Sequence, residues 1–220
     1  MQVLICISSK YPNPYLYTCI EALYQNQINN NHNQDKDVIY KIHIVDSDSD
    51  DLIYYNKINQ DFPNVEIHMI KNKNYEYGAW KYIVDKYPSF DIYFCIQDTT
   101  FIHTYIDLNK LDDNKTAYTF HHYSGYYNHL SIKEKGIENL KDTGLNYHSI
   151  IDTHFNLAQH SSFIVKNTIM KDIFTHLTIP PIDKDGCCFY ERNFGIYFLD
   201  KDIKTINLHD FMHKINGGRM

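Results

Sequence analysis

Hydrophobic residues in the first hundred positions fall into short runs that alternate with segments of helical spacing. Four runs rich in β-forming residues predict strands over 3–7, 38–45, 64–70 and 90–96. Between them, apolar residues recur every three or four positions. This spacing predicts helices over 15–25 and 52–59, and a third helix that contains Trp80 and ends before Pro88.

The alternation of apolar strands and helices predicts an α/β fold with a mostly parallel central sheet flanked by helices. Polar residues directly follow three of these strands, at Ser8, Asp46 and Gln97-Asp98. The carboxyl ends of parallel strands share one edge of a sheet, and ligands bind at that edge in open α/β sheets. The sequence therefore predicts a binding site there.

The second half of the chain is less regular. Its pattern predicts strands over 116–120, 161–165 and 203–207 and helices around 170–176 and 189–198. The last of these helices is expected to begin near Glu191 and Arg192. No linker or repeat interrupts the pattern, so we expect one domain over 1–220.

Composition excludes several classes of protein. The chain has 21 basic and 27 acidic residues, a net charge of −6, and no basic stripe, which argues against nucleic-acid binding. No apolar run approaches the ~20 residues of a transmembrane helix, and the N-terminal run lacks a basic leader. Five cysteines without a C-x-x-C pair argue against a zinc ribbon and favour a reducing compartment, so a cytoplasmic protein is expected. Lysine dominates over arginine, and Asn, Ile and Tyr are abundant, which indicates an A/T-rich genome such as that of a large DNA virus or a protist.

The order of several segments resembles the GT-A fold of nucleotide-sugar-dependent glycosyltransferases, in particular small capsule and lipopolysaccharide enzymes. Residues 3–9 resemble the first strand, and 45–48 resemble the second strand with its acidic turn. Gln97-Asp98-Thr99 stands where the family has its Asp-x-Asp metal motif. Residues 72–80 are similar to the Asn/Gly-rich helix start that precedes that motif, and 190–197 to a late Glu-Arg helix start.

The resemblance implies a glycosyltransferase that moves a sugar from a nucleotide-diphosphate sugar to a hydroxyl of a glycan or glycoprotein acceptor. Residues 1–100 would bind the donor and 101–220 the acceptor. It implies Mn²⁺ or Mg²⁺ at Asp98, completed by the late His209, and weakly held because Gln97 replaces a carboxylate. Glu191 would be the general base. The implied donor contacts are Ser8, Asp46, Asp48, Asn74, Gly78, Gln97 and Arg192.

Each candidate also has a structural interpretation. Asp98 could cap a turn, Asp46 and Asp48 could belong to a solvated Ser/Asp loop, and Glu191 could complement a helix dipole. Arg192 could form a surface salt bridge. The aromatic segment 121–129 could line an acceptor groove or simply contain some of the 20 tyrosines. The alternative function is a non-catalytic GT-A-like protein that binds glycans or serves as an interaction module.

Overall fold

The computed structural model describes residues 1–30, 38–111, 115–121, 130–150 and 153–215. In chain order the strands are β1 (Gln2–Ser9), β2 (Ile39–Asp46), β3 (Val65–Met69), β4 (Ile92–Gln97), β5 (Thr100–Ile102), β6 (Thr116–Thr119), β7 (Phe163–Lys166), β8 (Lys204–Asn207) and β9 (Met212–Lys214). The α-helices are α1 (Pro14–Leu23), α2 (Ile53–Asp61), α3 (Tyr75–Lys86), α4 (Leu130–Leu140), α5 (Asn167–His176) and α6 (Lys184–Asp200).

Seven strands form one sheet in the order β3-β2-β1-β4-β7-β6-β8. Every neighbouring pair is parallel except the two that involve β7, which runs antiparallel to β4 and to β6. The expected α/β fold with a mostly parallel sheet flanked by helices is confirmed. A second sheet pairs β5 with β9 in antiparallel fashion. It was not predicted, because strands of three residues carry too little pattern to be recognised.

The central strands are apolar throughout because both faces of the sheet are covered. Leu4 and Cys6 of β1 pack into a cluster with α3 and α6, whereas Ile5 and Ile7 pack into a cluster with α1 on the other face. Successive side chains of a strand point to opposite faces, so a sheet buried on both sides needs a continuous hydrophobic run.

The last long helix begins earlier than the sequence pattern predicts. Asp183 caps α6 and accepts a hydrogen bond from the Gly186 N–H at 2.7 Å, so the helix starts at Lys184. The expectation that it begins near Glu191 is wrong, because the polar first turn of 184–186 conceals the helical period. Of the helices in the described ranges, none has the length and apolar character to cross a membrane.

Candidate functional site

The polar residues that follow β1, β2 and β4 meet at one edge of the large sheet. Ser9 pairs with Asp46 in the β1–β2 ladder. The Asp98 N–H donates to the Ser8 carbonyl at 3.1 Å. The carboxyl ends of the three strands therefore present Ser8, Asp46 and Asp98 together, as parallel pairing requires.

A cleft of about 290 Å³ opens at this edge, close to the lower size limit of small-molecule sites. We call it the polar cleft. Its lining combines ammonium, carboxylate, hydroxyl and amide groups, which suits a polar ligand with an anionic part. The lining residues are Ser8, Lys10, Tyr11, Ser47, Asp48, Asn72, Lys73, Tyr75 and Glu76.

Asp46 lies beneath this cleft and is fully buried. Its carboxylate accepts hydrogen bonds from the Ser49 N–H at 2.8 Å, the Ser49 hydroxyl and the Tyr55 hydroxyl at 2.5 Å. These contacts fold the Ser/Asp turn after β2. Asp46 therefore organises this turn, and its role as a donor contact stays a prediction.

Asp48 sits on the turn that Asp46 organises and lines the polar cleft with Ser8. It has a left-handed backbone, with φ of 68°, which an aspartate tolerates in such turns. Its exposed carboxylate lies 3.8 Å from the Lys71 ammonium. Of the two aspartates expected at the donor, Asp48 is the one that a ligand in the cleft would meet.

Asn74 and Gly78 do not line the polar cleft but a neighbouring depression. The Asn74 amide donates to the Pro181 carbonyl at 2.8 Å and so links the start of α3 to the loop before α6. A Cβ on Gly78 would lie 2.0 Å from Asn72 Oδ1. Both residues therefore hold the segment before α3 in place, and Asn72 and Lys73 are the residues of that segment that line the polar cleft.

Asp98 is buried, with 2% of its surface exposed. One carboxylate oxygen accepts from the Ser9 hydroxyl at 3.1 Å and lies 3.4 Å from the Lys10 N–H. These contacts hold the carboxylate against the end of β1, as the turn-capping interpretation expects, and metal or ligand binding by Asp98 stays a prediction.

Gln97 joins a group that we call the edge cluster: Glu76, Gln97, Cys187 and Lys214. The Gln97 amide donates to Glu76 at 2.5 Å, and its oxygen accepts from the Lys214 ammonium. The Cys187 thiol donates to the other Glu76 oxygen at 2.9 Å. Burial, and then Glu76, raises the pKa of Cys187, so its thiol stays protonated.

Glu191 lies in the interior of α6 and is half-buried. Its carboxylate accepts from the His160 N–H at 3.0 Å. Burial raises the pKa of Glu191, while the His160 N–H, Arg192 and Lys214 lower it and Glu76 raises it. The edge cluster thus lies within electrostatic reach of a carboxylate with a raised pKa, as is common at functional sites.

Arg192 is half-buried beside Glu191, and its guanidinium donates to the Cys188 carbonyl of its own helix at 3.0 Å. His209 is exposed, stacks edge-to-face on Phe120 at 4.9 Å and lies near His121. Residues 122–129, which include the other members of the suggested acceptor groove, lie outside the described residues.

In the part of the chain that the structure describes, Asp98 and His209 belong to no group of three converging His, Cys, Asp or Glu ligands. One such group exists elsewhere, formed by His43, Glu66 and His68.

Sequence reasoning missed Glu76, Asn72 and Lys214. Glu76 lies within the expected helix start of 72–80 and could have been found as an acidic residue in the first turn of α3. No sequence signal identifies Lys214, because β9 brings it to the edge from 117 positions away.

Comparison with known proteins supports the fold. No protein-family model matches the chain, and no curated protein matches it by sequence. Among the solved structures, 225 chains match. One is the crystal structure of S. aureus TarS, a GT-A-type glycosyltransferase, with a TM-score of 0.55 and 11% sequence identity. The match covers 97% of this chain but 36% of TarS, so it concerns a shared fold and not the whole of that protein.

Proposed function

We propose that the protein is a glycosyltransferase that binds a nucleotide-diphosphate sugar in the polar cleft and transfers the sugar to a hydroxyl of a glycan or glycoprotein. The observation that carries the proposal is the proximity of two features at one sheet edge. Glu76 lines the polar cleft and also belongs to the edge cluster, which acts on the pKa of Glu191. Glu76 thus links the proposed donor site to the electrostatic surroundings of the candidate base, which supports a transfer reaction.

In the proposed reaction the acceptor oxygen forms a bond to the anomeric carbon while the bond from that carbon to the diphosphate breaks. The Glu191 carboxylate takes the proton of the acceptor hydroxyl. Residues of the first hundred positions, together with Lys214, bind the donor, and other residues of the second half, with Glu191, face the acceptor. The raised pKa of Glu191 supports this role, because a base titrating closer to neutral pH accepts a proton more readily.

The Mn²⁺ or Mg²⁺ that the GT-A resemblance implies does not fit these residues well. A hard divalent cation needs several oxygen ligands. Here Asp98 is the one carboxylate of the sheet-edge motif, and the oxygen of Gln97 is already bonded to Lys214. The side chains present instead suit a diphosphate whose negative charge is neutralised by lysine ammonium groups. These are Lys214 in the edge cluster and Lys10 and Lys73 in the polar cleft.

The test compares Lys214→Met with Lys115→Met, an exposed lysine outside the polar cleft. Calorimetry would measure binding of nucleoside diphosphates and of the corresponding nucleosides. A lost charged contact of ~1.5–3 kcal/mol lowers diphosphate affinity by about 10- to 100-fold. We expect this loss in Lys214→Met, with nucleoside affinity unchanged, and no loss in Lys115→Met.

Transfer itself would be followed with a panel of nucleotide sugars, with a chelator or with added Mn²⁺. We expect the rates to agree within about twofold. A rate that depends steeply on Mn²⁺ would contradict the role of Lys214. Glycan binding without nucleotide binding or transfer would favour the non-catalytic alternative, which the absent first carboxylate of the metal motif supports.

A further inference from the structure

Three potential metal ligands converge on one face of the sheet, away from the polar cleft. His43 lies on β2 directly opposite Glu66 of β3, and His68 follows two positions later on β3. Residues paired across two strands, and residues two apart on one strand, point to the same face. His43 and His68 are buried, whereas the side chain of Glu66 is 52% exposed.

The donor atoms are already spaced for a metal ion. His43 Nδ1 lies 2.8 Å from His68 Nε2 and 3.7 Å from Glu66 Oε2, and the last two atoms are 3.9 Å apart. All three corners of a triangle with these sides lie about 2 Å from a common point, which matches Zn–N and Zn–O bond lengths.

Outer contacts hold two of the ligands in these orientations. The Tyr82 hydroxyl lies 3.4 Å from His68 Nδ1, which turns Nε2 of that ring toward His43. The Tyr87 hydroxyl donates to Glu66 Oε2 at 3.1 Å. Hydrogen bonds from such second partners fix ring orientation and tune affinity at metal sites. The Lys86 ammonium donates a hydrogen bond to the Tyr82 hydroxyl at 2.8 Å, so this nearby cation is held by Tyr82 and not by the three potential ligands.

The imidazoles are in the form that binds metals. Burial lowers the pKa of His43 to about 4 and also lowers that of His68, so both rings are neutral at pH 7. One of the two facing nitrogens carries the hydrogen of their 2.8 Å contact. A bound ion would take the place of that hydrogen between the strands, and the proton would move to the outer nitrogen of the same ring.

We propose that His43, Glu66 and His68 bind Zn²⁺ through three protein ligands, with a water molecule in the fourth position on the side of the exposed Glu66. Two imidazoles and one carboxylate suit zinc and exclude the oxygen-binding Mg²⁺ and Ca²⁺. The ion would join β2 to the edge strand β3. This site is independent of the proposed glycosyl transfer.

The test uses the full chain without a polyhistidine tag and stripped with a chelator. Calorimetry with Zn²⁺ would compare wild type with Glu66→Gln, His68→Gln and the matched control His148→Gln, an exposed histidine. We expect one Zn²⁺ per chain in wild type and control. Zn²⁺ affinity should fall by about 10- to 100-fold in Glu66→Gln and by more in His68→Gln. A further variant, Tyr87→Phe, removes the hydrogen bond to Glu66 and should lower Zn²⁺ affinity by about 10-fold.

Two further readouts keep the result clear. Co²⁺ should give the visible absorption of a four-coordinate ion in wild type but not in His68→Gln. Zn²⁺ should raise the melting temperature of wild type by mass action, while Glu66→Gln, whose side chain is exposed, folds normally and shows a smaller rise. Equal Zn²⁺ binding in wild type and both ligand variants, or six-coordinate Co²⁺ spectra throughout, would overturn the proposal.

Discussion

Glu191 illustrates how one side chain can be suited to chemistry at the expense of stability. It lies inside α6 and not at the start of a helix, so no helix dipole stabilises its charge. Burial raises its pKa above the value in the unfolded chain. The folded state therefore favours the protonated form, and the stability contributed by that form is lost as the pH rises through the folded pKa.

Glu191→Gln should accordingly raise stability at neutral pH while lowering transfer by ~10²–10⁴-fold, the range for a lost general base. The gain should vanish below about pH 4, where the wild-type carboxyl is protonated in both states. Melting temperatures across pH and initial rates measure the two effects. Glu138→Gln, an exposed carboxylate, is the control. Unchanged turnover in Glu191→Gln would exclude it as the base.

The sequence predicts the position of the candidate site but not the role of each of its residues. Polar residues after apolar strands located the sheet edge, because strand polarity alone decides where those residues lie. Their individual roles could not be predicted, because Asp46 and Asp48, two positions apart, have opposite exposure. That difference is set by Ser49 and Tyr55, which fold back on Asp46 only in the complete turn.

Helix α6 approaches the rest of the protein closely at one glycine. A Cβ on Gly195 would lie 2.6 Å from the Asn156 carbonyl oxygen and 3.2 Å from Leu157 Cα. Both atoms belong to the backbone, which cannot move as a flexible side chain would. Gly186, on the same helix, has its nearest neighbour for such an atom at 3.2 Å on Pro181.

Gly195→Ala should therefore destabilise the protein by ~1–3 kcal/mol through overpacking. In Gly186→Ala, the ~1 kcal/mol gain in helix propensity should largely offset the tighter contact, leaving stability nearly unchanged. Urea unfolding of the two variants measures the difference. Equal stabilities would show that the 155–157 segment moves away from α6 without loss.

Helices and strands of the first half followed from the sequence because each is long enough to show a period. The strands β5 and β9 did not, since three residues cannot distinguish alternation from chance. Helix α4 was also missed. It is rich in lysine and glutamate, so hydrophobic spacing says little about it.

The cysteines report on the cooperativity of the fold. Cys6 and Cys95 face each other in the β1–β4 ladder and are fully buried, and burial raises the pKa of both thiols. Cys188 on α6 is half-buried. The two sheet thiols can react only when the centre of the large sheet opens.

A thiol reagent should therefore modify Cys188 in the native protein and leave Cys6 and Cys95 unmodified. Their labelling should follow the same urea dependence as the loss of far-ultraviolet circular dichroism. Mass spectrometry of labelled peptides, with Cys188→Ser as the control, measures this. Labelling of Cys6 well below the unfolding midpoint would indicate that β1 and β4 separate in a partly folded state.

The pairing of β9 with β5 also affects when this part of the protein folds and how readily it opens. Lys214 reaches Gln97 across 117 positions of chain, so closing that loop costs entropy and we expect the contact to form late in folding. A ladder of three residues per strand is also among the first to open in a folded protein. A fraction of molecules with an intact core but a detached β9 is thus expected at equilibrium. A diphosphate that binds Lys214 would stabilise the molecules in which β9 is attached. Its binding would therefore slow amide hydrogen exchange at 212–214 and leave exchange in β1 and β4 unchanged.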